Sequence, residues 1–501
     1  MAHDARTIDP MVHASQALTI AAELIAEHIP QLRRDLALIE GDLLGDNAGK
    51  PKPALGTDGK PHVNTRLLPG ELPDTHFTRF VIIDDAKTDV TRRLPPLLVW
   101  ESNHDGTAEE YLGAAYDRAT AGPGLELDLV FGACKDYPTL QAPRARWVAW
   151  MAGKSIRASA FYCGYRGVAK KHVDAAGRVH EAVRRFLDAD RDRLPADPRQ
   201  RHTMIRDYLA QRPPPRPMAA GDLEPIPRRD PFTDDPRLRR AIWQLLRIVV
   251  VPMVVVFAVL VGATMAWRQR WSSLLWVVPG AAIVTIALAV AVVLVLRRYL
   301  YFREGRDKPD DIHRAVHARP DLIAVEDRIV QNQLTHLVDL KPGLFRYVLQ
   351  HVVLRAIDLL ARFVYLDGHL GNITSIHFGR WVVLKDRRWW RLWRRRDRLV
   401  FFSNYDFSWD SYLGEFVDRQ ATGLTAVWSN TEGFPRTTRL INDGARDEER
   451  FKQWARSRQI PSQVWWSGVR QSSVENVNND VEIHRGLASP PSDLRRWMLR
   501  L

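Results

Sequence analysis

His76-Phe77-Thr78-Arg79 returns 301 residues later in the chain as His377-Phe378-Gly379-Arg380. At the same offset, Ser102-Asn103-His104-Asp105 is matched by Ser403-Asn404-Tyr405-Asp406, with no gap between the paired stretches. Two pairs of motifs separated by the same number of residues indicate an internal repeat. A repeat is the first feature to identify in a sequence, because missing it leads to a wrong fold. The chain therefore carries two copies of one domain, and its function depends on what the pair builds.

Two apolar runs separate the copies. Residues 248–267 and 271–296 contain no charged residue. At 1.5 Å of rise per residue, each run can cross a hydrocarbon core of roughly 30 Å as a helix. We therefore predict a two-helix transmembrane hairpin over 241–298; the alternative is a pair of buried core helices.

Basic residues are distributed unevenly around these runs. Nine flank the outer ends of the runs, whereas only Arg268 and Arg270 lie in the turn between them. By the positive-inside rule, both large domains are predicted to be cytoplasmic, on a multi-pass protein of the inner (cytoplasmic) membrane. The net charge of +13 then favours anionic membrane lipids as partners, and no nucleic-acid-binding signature is present. The nine residues are Arg237, Arg239, Arg240, Arg247, Arg297, Arg298, Arg303, Arg306 and Lys308.

Composition and patterning divide the rest of the chain into segments. In order, they are an N-terminal helical segment 1–44, a linker 45–73, repeat one 74–188, a proline-rich polar linker 189–240, the transmembrane hairpin, a helical and interfacial region 310–366, repeat two 374–488 and a tail 489–501. Each repeat is predicted to run strand, strand, helix, strand, strand, helix, with third strands at 127–134 and 424–429.

Two helices on one face of a four-stranded antiparallel sheet leave its other face bare, and that face must be covered. We expect the bare faces of the two repeats to cover each other, which gives an α+β fold. This arrangement resembles the dimeric α/β-barrel superfamily of ferredoxin-like domains, with the pseudo-dimer made inside one chain. The resemblance covers the two repeats and rests on topology and duplication.

That superfamily includes dye-decolorising peroxidases, chlorite dismutases and small monooxygenases. The resemblance implies a peroxidase- or monooxygenase-like oxidoreductase acting on a lipophilic small molecule from the bilayer, with haem as the cofactor of the peroxidase-like form. The haem ligands and the acid–arginine pair of the peroxidases do not align with this chain. The alternative is a non-catalytic scaffold that binds lipid or a small molecule.

Three residues of repeat one are the candidate catalytic groups: His76, Glu101 and His104. Strand alternation places His76 on an aromatic face, which is expected to line the lumen, and Arg79 on an aliphatic face, which is expected to pack under helices. Glu101 is an acid within a strand, and Phe402 replaces it in repeat two. The structural alternatives are a rim histidine, an exposed edge acid and a turn histidine.

A second group of residues is predicted to bind a ligand. Asn103 and its counterpart Asn404 follow a strand end, His377 repeats His76, and two arginines follow a glycine after the fourth strand of each repeat. Those arginines, Arg166 and Arg470, suit a carboxylate or phosphate; alternatively they solvate the strand end. The aspartates of the Ser-Asn-x-Asp motif are expected to cap a helix.

Two segments have compositions that favour contact with membrane lipid. The hairpin between the first two strands of repeat two is rich in arginine and tryptophan, which favour headgroups and anionic lipid; nucleic-acid binding is the alternative. Its predicted membrane contacts are Arg387, Arg388, Trp389, Trp390, Trp393 and Arg394. Residues 344–364 read as an amphipathic helix lying in the interface, or as a helix packed on the barrel. With only two cysteines in the chain, no cysteine metal site is predicted.

Overall fold

A computed structural model describes most of the chain. The residues it describes are 15–44, 72, 74–84, 95–121, 127–211, 223–226, 228, 243, 247, 250–268, 274–309, 320–323, 326–365, 369–385, 397–469 and 472–501. Over these residues the fold is a mixed α/β structure with antiparallel sheets.

Ten strands form two four-stranded sheets and one short hairpin. In chain order they are β1 (Ser15–Glu23), β2 (Thr75–Ile83), β3 (Leu97–Asp105), β4 (Ala160–Cys163), β5 (Gln331–Asp339), β6 (Ile376–Leu384), β7 (Arg398–Asp406), β8 (Thr437–Thr438), β9 (Asn442–Asp443) and β10 (Val464–Ser467). The strand order is β1-β3-β2-β10 in the first sheet and β4-β6-β7-β5 in the second.

The two sheets exchange their fourth strands. β10 comes from the second half of the chain but pairs with β2, whereas β4 comes from the first half but pairs with β6. The 301-residue offset is kept in the structure, because β2 and β3 begin 301 residues before β6 and β7. Neither half of the chain therefore completes a four-stranded sheet without the other.

Fourteen α-helices surround the sheets and extend from them within the described residues. They are α1 (Ile29–Leu44), α2 (Ala108–Thr120), α3 (Leu127–Phe131), α4 (Arg144–Lys154), α5 (Lys170–Ala189), α6 (Pro198–Ala210), α7 (Val251–Arg268), α8 (Leu274–Glu304), α9 (Pro320–Ile323), α10 (Leu344–Phe363), α11 (Trp409–Trp428), α12 (Glu448–Ser457), α13 (Val474–Ala488) and α14 (Leu494–Met498).

The interior between the sheets is filled by aliphatic side chains. Val81 and Val99 of the first sheet pack in one cluster with Val382, Val400 and Leu337 of the second. The other face of the first sheet packs with α1, α2, α3 and α4 around buried aromatic side chains. The strand face that carries Arg79 therefore lies between the sheets, and the prediction that this face packs under helices is wrong.

The first strand of each repeat was missed from sequence. The predicted helical segment 1–44 contains β1 before α1, and the predicted helical region 310–366 contains β5 before α10. The predicted third strands are helices instead, because 127–131 forms α3 and 424–428 belongs to α11. Each half therefore runs strand, helix, strand, strand, helix, strand, helix, with short elements inserted before its last strand.

Among the residues that the structure describes, one helix is long and apolar enough to cross a membrane. It is the 29-residue stretch Trp276–Glu304 of α8. Of its most apolar 18 residues, 17% are buried. Over the side chains that the structure describes, the apolar stretch Val251–Thr264 of α7 is shorter than a span. The described residues thus support a single candidate span, and the predicted multi-pass topology is not supported by them.

The end of α8 is fixed to the second half of the chain by its last residue. The buried Glu304 carboxylate accepts hydrogen bonds from the Thr437 hydroxyl at 2.9 Å and from the backbone N–H groups of Arg439 and Leu440, both at 2.7 Å. Arg439 and Leu440 have positive φ angles, which side-chain-bearing residues adopt only under constraint. The carboxylate supplies that constraint.

Candidate functional site

A β-bulge determines where the first repeated histidine points. The register between β2 and β3 shifts between Thr75 and Phe77. The Thr75 hydroxyl meets the Tyr111 hydroxyl of α2 at 2.9 Å, on the helix side of the sheet. The His76 ring turns away from α2 and meets the Asp105 carboxylate, with 2.9 Å between Nε2 and Oδ1. A bulge breaks strict alternation. His76 therefore packs against Phe378 of the second sheet, on the side predicted for it, whereas Phe80, which alternation places on the same face, packs under helices.

The second copy repeats this arrangement. The register shifts between Ile376 and Phe378, and His377 Nε2 lies 2.8 Å from Asp406 Oδ1. Both histidine rings are fully buried. Since the arrangement is present twice, a role in building the fold explains it without an asymmetric active site.

Each aspartate also holds the start of a helix. Asp105 Oδ2 accepts the backbone N–H of Lys170 at 2.5 Å, and Asp406 Oδ2 accepts that of Val474 at 2.8 Å. These are the first residues of α5 and α13, where unpaired N–H groups and the helix dipole favour a carboxylate. The predicted capping role is therefore present, but the capped helices are those after the exchanged strands.

Ser15 joins the first pair without forming a catalytic triad. Its hydroxyl lies 3.2 Å from His76 Nε2 and 3.2 Å from Asp105 Oδ1. In a triad the serine and the carboxylate occupy different ring nitrogens, whereas here both share Nε2. This geometry does not activate the serine as a nucleophile.

The repeated arginines reach across the interface. Arg79 donates to the Ser403 carbonyl at 2.9 Å and to Asn404 Oδ1 at 2.5 Å. Arg380 donates to the corresponding groups of the first half, the Ser102 carbonyl at 2.9 Å and Asn103 Oδ1. The two predicted ligand-binding asparagines are thus bound to the arginine of the opposite repeat.

The arginines also bind the strands that were missed from sequence. Arg79 donates to the Leu334 carbonyl at 3.0 Å and to the Thr335 hydroxyl at 3.2 Å. Arg380 donates to the Leu18 carbonyl at 2.6 Å and to the Thr19 hydroxyl at 3.2 Å. A Leu-Thr pair in β1 and β5 is therefore a further part of the repeat, and it is the sequence signal that could have located both strands.

Glu101 lies between the two arginines. Its Oε2 accepts from Arg79 Nε at 2.8 Å, and its Oε1 lies 2.8 Å from Arg380. Phe402 takes its place in the second half, and Arg380 Nε has no hydrogen-bond partner among the described residues. Burial lowers the pKa of both guanidinium groups, that of Arg380 to about 10. Guanidinium groups remain charged at neutral pH in proteins. Two buried cations therefore share one carboxylate.

His104 lies against a helix, away from that cluster. Its ring stacks on Tyr111 at 4.2 Å between ring centroids, and its Nδ1–H donates to the Asp105 carbonyl at 2.9 Å. Tyr405 stacks on Tyr412 in the same way at 3.8 Å. Burial lowers the pKa of His104 to about 4. His104 is thus a neutral packing residue.

The three candidate catalytic residues do not form one site. In the described part of the chain, no hydrogen bond or ring contact joins any two of His76, Glu101 and His104. Arg166 binds the Ala361 and Arg362 carbonyls at the end of α10. Arg470 and the arginine- and tryptophan-rich segment 387–396, predicted to be a hairpin, lie outside the described residues.

A glycine closes each exchanged strand. The Gly164 N–H donates to the His377 carbonyl at 2.8 Å, and the Gly468 N–H to the His76 carbonyl at 2.7 Å. A Cβ on Gly164 would lie 2.4 Å from the Ile376 carbonyl oxygen, and one on Gly468 would lie 2.8 Å from that of Thr75. Only glycine allows this approach of two backbones, which explains why a glycine precedes Arg166 and Arg470 in the two repeats.

An aromatic cluster surrounds the two repeated histidines. The Tyr165 ring lies 5.6 Å from that of His76 and 5.8 Å from that of His377. Over the described residues, Nδ1 of each histidine and the Tyr165 hydroxyl have no hydrogen-bond partner. The histidine rings also pack against Phe378 and Phe77. A haem needs an open face beside its ligating nitrogen, and these packed rings do not offer one.

Within the described residues, no group of three or more His, Cys, Asp or Glu side chains could hold a metal ion. Comparison of the chain with protein-family models, with curated proteins and with solved structures finds no match in any of the three.

Proposed function

We propose that this protein is a non-catalytic, membrane-anchored scaffold built on an intramolecular pseudo-dimer of two ferredoxin-like repeats. The order of strands and helices in each half supports the ferredoxin-like assignment. In this proposal the duplicated motifs join the halves, and the membrane segment between them holds the folded unit at the inner leaflet.

One observation carries the proposal: the repeated polar side chains are used to build the fold, the arginines between the two halves and the histidine–aspartate pairs within each half. Arg79 and Arg380 bind across the interface, and the two histidine–aspartate pairs hold helix starts. A catalytic base needs access to substrate, and buried, hydrogen-bonded groups lack that access. Residues repeated in both halves thus favour assembly over chemistry.

The exposure of α8 supports membrane anchorage. Ile283, Val293 and Val295 are more than half exposed, whereas a core helix of this length would be buried. A contiguous exposed apolar surface of this size is characteristic of a segment that contacts lipid. The proposal includes α7 as the second span of a hairpin, with both large domains cytoplasmic, because the two helices contact each other.

The oxidoreductase alternative has one supporting observation, the unpartnered nitrogens of His76 and His377 beside the unpartnered Tyr165 hydroxyl. Unsatisfied buried polar atoms occur at functional sites as well as at buried waters. A lipophilic small molecule that reached this cluster would meet three hydrogen-bonding groups in an aromatic setting.

The two functions differ in how His76→Ala and His377→Ala behave in the full chain purified in detergent. A scaffold predicts that both variants lower the melting temperature by similar amounts, and that the parent shows no Soret absorption. An enzyme predicts that His76→Ala removes a Soret band or ligand binding at unchanged stability. Release of the parent chain from membranes by alkaline carbonate would overturn the anchorage.

A further inference from the structure

The outward face of α10 is apolar. Leu344, Val348 and Val352 follow one another at four-residue spacing and are 43%, 50% and 59% exposed. Side chains at this spacing lie on one side of a helix. Isolated exposed apolar residues are common on proteins, but an ordered row on one helix indicates a contact surface.

The opposite face of α10 is fixed to the fold, so the helix cannot turn this row inward. Arg346 donates to Asn430 at 3.0 Å and to Asp307 at 2.8 Å. At the other end of the helix, Arg166 donates to the Ala361 and Arg362 carbonyls. Arg346, Asp358 and Arg362 are buried, and the row is therefore held facing away from the sheets.

A ring contact sets the depth of α10 relative to the bilayer. Phe345, in its first turn, meets Tyr299 of α8 at 4.9 Å between ring centroids. Tyr299 follows the last residue of the apolar run, Leu296, by three residues, which is about 4.5 Å along a helix. A headgroup layer is about 5–7 Å thick on each side of the hydrocarbon core, so the start of α10 lies at headgroup level.

The charges around the row also suit an anionic lipid surface. Arg355 follows Val348 by two helical turns and is 44% exposed, and Arg297 and Arg298 lie at the same end of α8. Long cationic side chains beside apolar ones bind lipid phosphates while the apolar groups enter the acyl boundary.

We propose that the row Leu344, Val348 and Val352 lies in the headgroup–acyl boundary of an anionic leaflet, beside the point where α8 leaves the bilayer. This inference rests on the proposed anchorage through α8. A contact outside the membrane spans fixes the orientation of the folded unit, since the spans alone leave it free to tilt on the leaflet. The fold thereby presents one constant side to the cytoplasm.

The test places an environment-sensitive fluorophore on the row in the full chain, reconstituted into vesicles containing anionic lipid. Val348→Cys and Val352→Cys report the row, and Glu181→Cys, whose side chain is 52% exposed on α5, is the control. Both native cysteines are buried, and the parent chain, treated identically, gives their background labelling.

We expect blue-shifted emission at positions 348 and 352 and at least twofold quenching by lipids brominated on the acyl chain, with neither effect at position 181. If the protein floats with the vesicles but positions 348 and 352 emit like position 181, the proposed lipid contact of α10 is wrong. The proposed anchorage through α8 is then unaffected. A blue shift without quenching would assign the row to a second protein copy. Failure of the protein to float would overturn both proposals.

Discussion

Arg79 and Arg380 occupy equivalent positions of the repeat, and each donates to the asparagine of the opposite copy, Asn404 and Asn103 respectively. The exchange is reciprocal, as in an isologous dimer, where each partner presents the same surface. It departs from symmetry at one side chain. Glu101 serves both guanidinium groups, and Phe402 occupies the place of a second carboxylate.

We predict that Glu101→Gln destabilises the protein strongly, because it leaves two buried cations without a counter-charge. Breaking a buried ion pair from one side costs about 3–5 kcal/mol, and thermal unfolding of the full chain in detergent measures the loss. Phe402→Glu in the Glu101→Gln background should restore part of it by supplying a carboxylate near Arg380 Nε. If the double variant is no more stable than Glu101→Gln, the proposed charge balance is wrong.

The glycines after the exchanged strands give a second prediction. Gly164→Ala and Gly468→Ala should each lower the melting temperature by several degrees, because their Cβ atoms would lie 2.4 Å and 2.8 Å from backbone carbonyl oxygens. Gly153→Ala is the matched control: its Cβ meets nothing within 4 Å, and alanine favours its helix by about 1 kcal/mol. Equal effects at all three positions would contradict the close approach of the two backbones.

The third prediction concerns stability in acid. The pKa of His104 is lowered to about 4, against about 6.5 in an unfolded chain. Between these values the unfolded state binds more protons, so His104 makes stability fall as the pH drops from about 6.5 to about 4. His104→Tyr, which copies the Tyr405–Tyr412 stack, should weaken this dependence.

Chemical unfolding curves at a series of pH values would measure that change. His336 is a useful reference, since burial lowers its pKa to about 3 and its contribution should persist in the His104→Tyr variant. An unchanged pH profile in that variant would show that the pKa of His104 is the same in the folded and unfolded states, as for an exposed ring.

The sequence was sufficient to locate the β2–β3 and β6–β7 pairs and the packing of the two sheets on each other. The separation of His76 from the strand face that carries Phe80 was not predictable, because alternation assumes a regular strand and the bulge before Phe77 leaves no clear sequence mark. Strand exchange was missed for a different reason. Val464 pairs with Phe80, and local periodicity carries no information about a partner that distant in sequence.

A fourth prediction tests the connection between α8 and the loop at 437–440. Glu304→Ala should expose the bond after Arg439 to trypsin, because the Glu304 carboxylate holds the N–H groups of Arg439 and Leu440. Limited proteolysis followed by mass spectrometry would measure the rate. Glu449→Ala is the control, since Glu449 accepts an exposed hydrogen bond from Gln453 on the surface of α12. Equal cleavage in both variants would argue against the role of the Glu304 carboxylate in holding this loop.

The hairpin at 387–396 supplies the fifth prediction. In full-length protein in lipid nanodiscs, anionic lipid at low salt should protect its arginines from trypsin, and high salt should weaken that protection because the attraction is screened. Replacing Trp389, Trp390 and Trp393 with alanine should reduce protection even at low salt. Protection by nucleic acid but not by lipid would assign the hairpin to another partner.

The exchange of strands determines when during synthesis each sheet can be completed. The edge of β2 that receives β10 stays unpaired until almost the whole chain has been made, which at ~5–20 residues per second takes tens of seconds. An open strand edge is a site of aggregation. The apolar segment between the halves is synthesised before β10. Its insertion into the bilayer would keep the unpaired edge of β2 and the later strand β10 close to the same point of the membrane, at high effective concentration. The proposed membrane anchor would then favour the pairing of β10 with β2 during folding, in addition to holding the folded protein at the membrane.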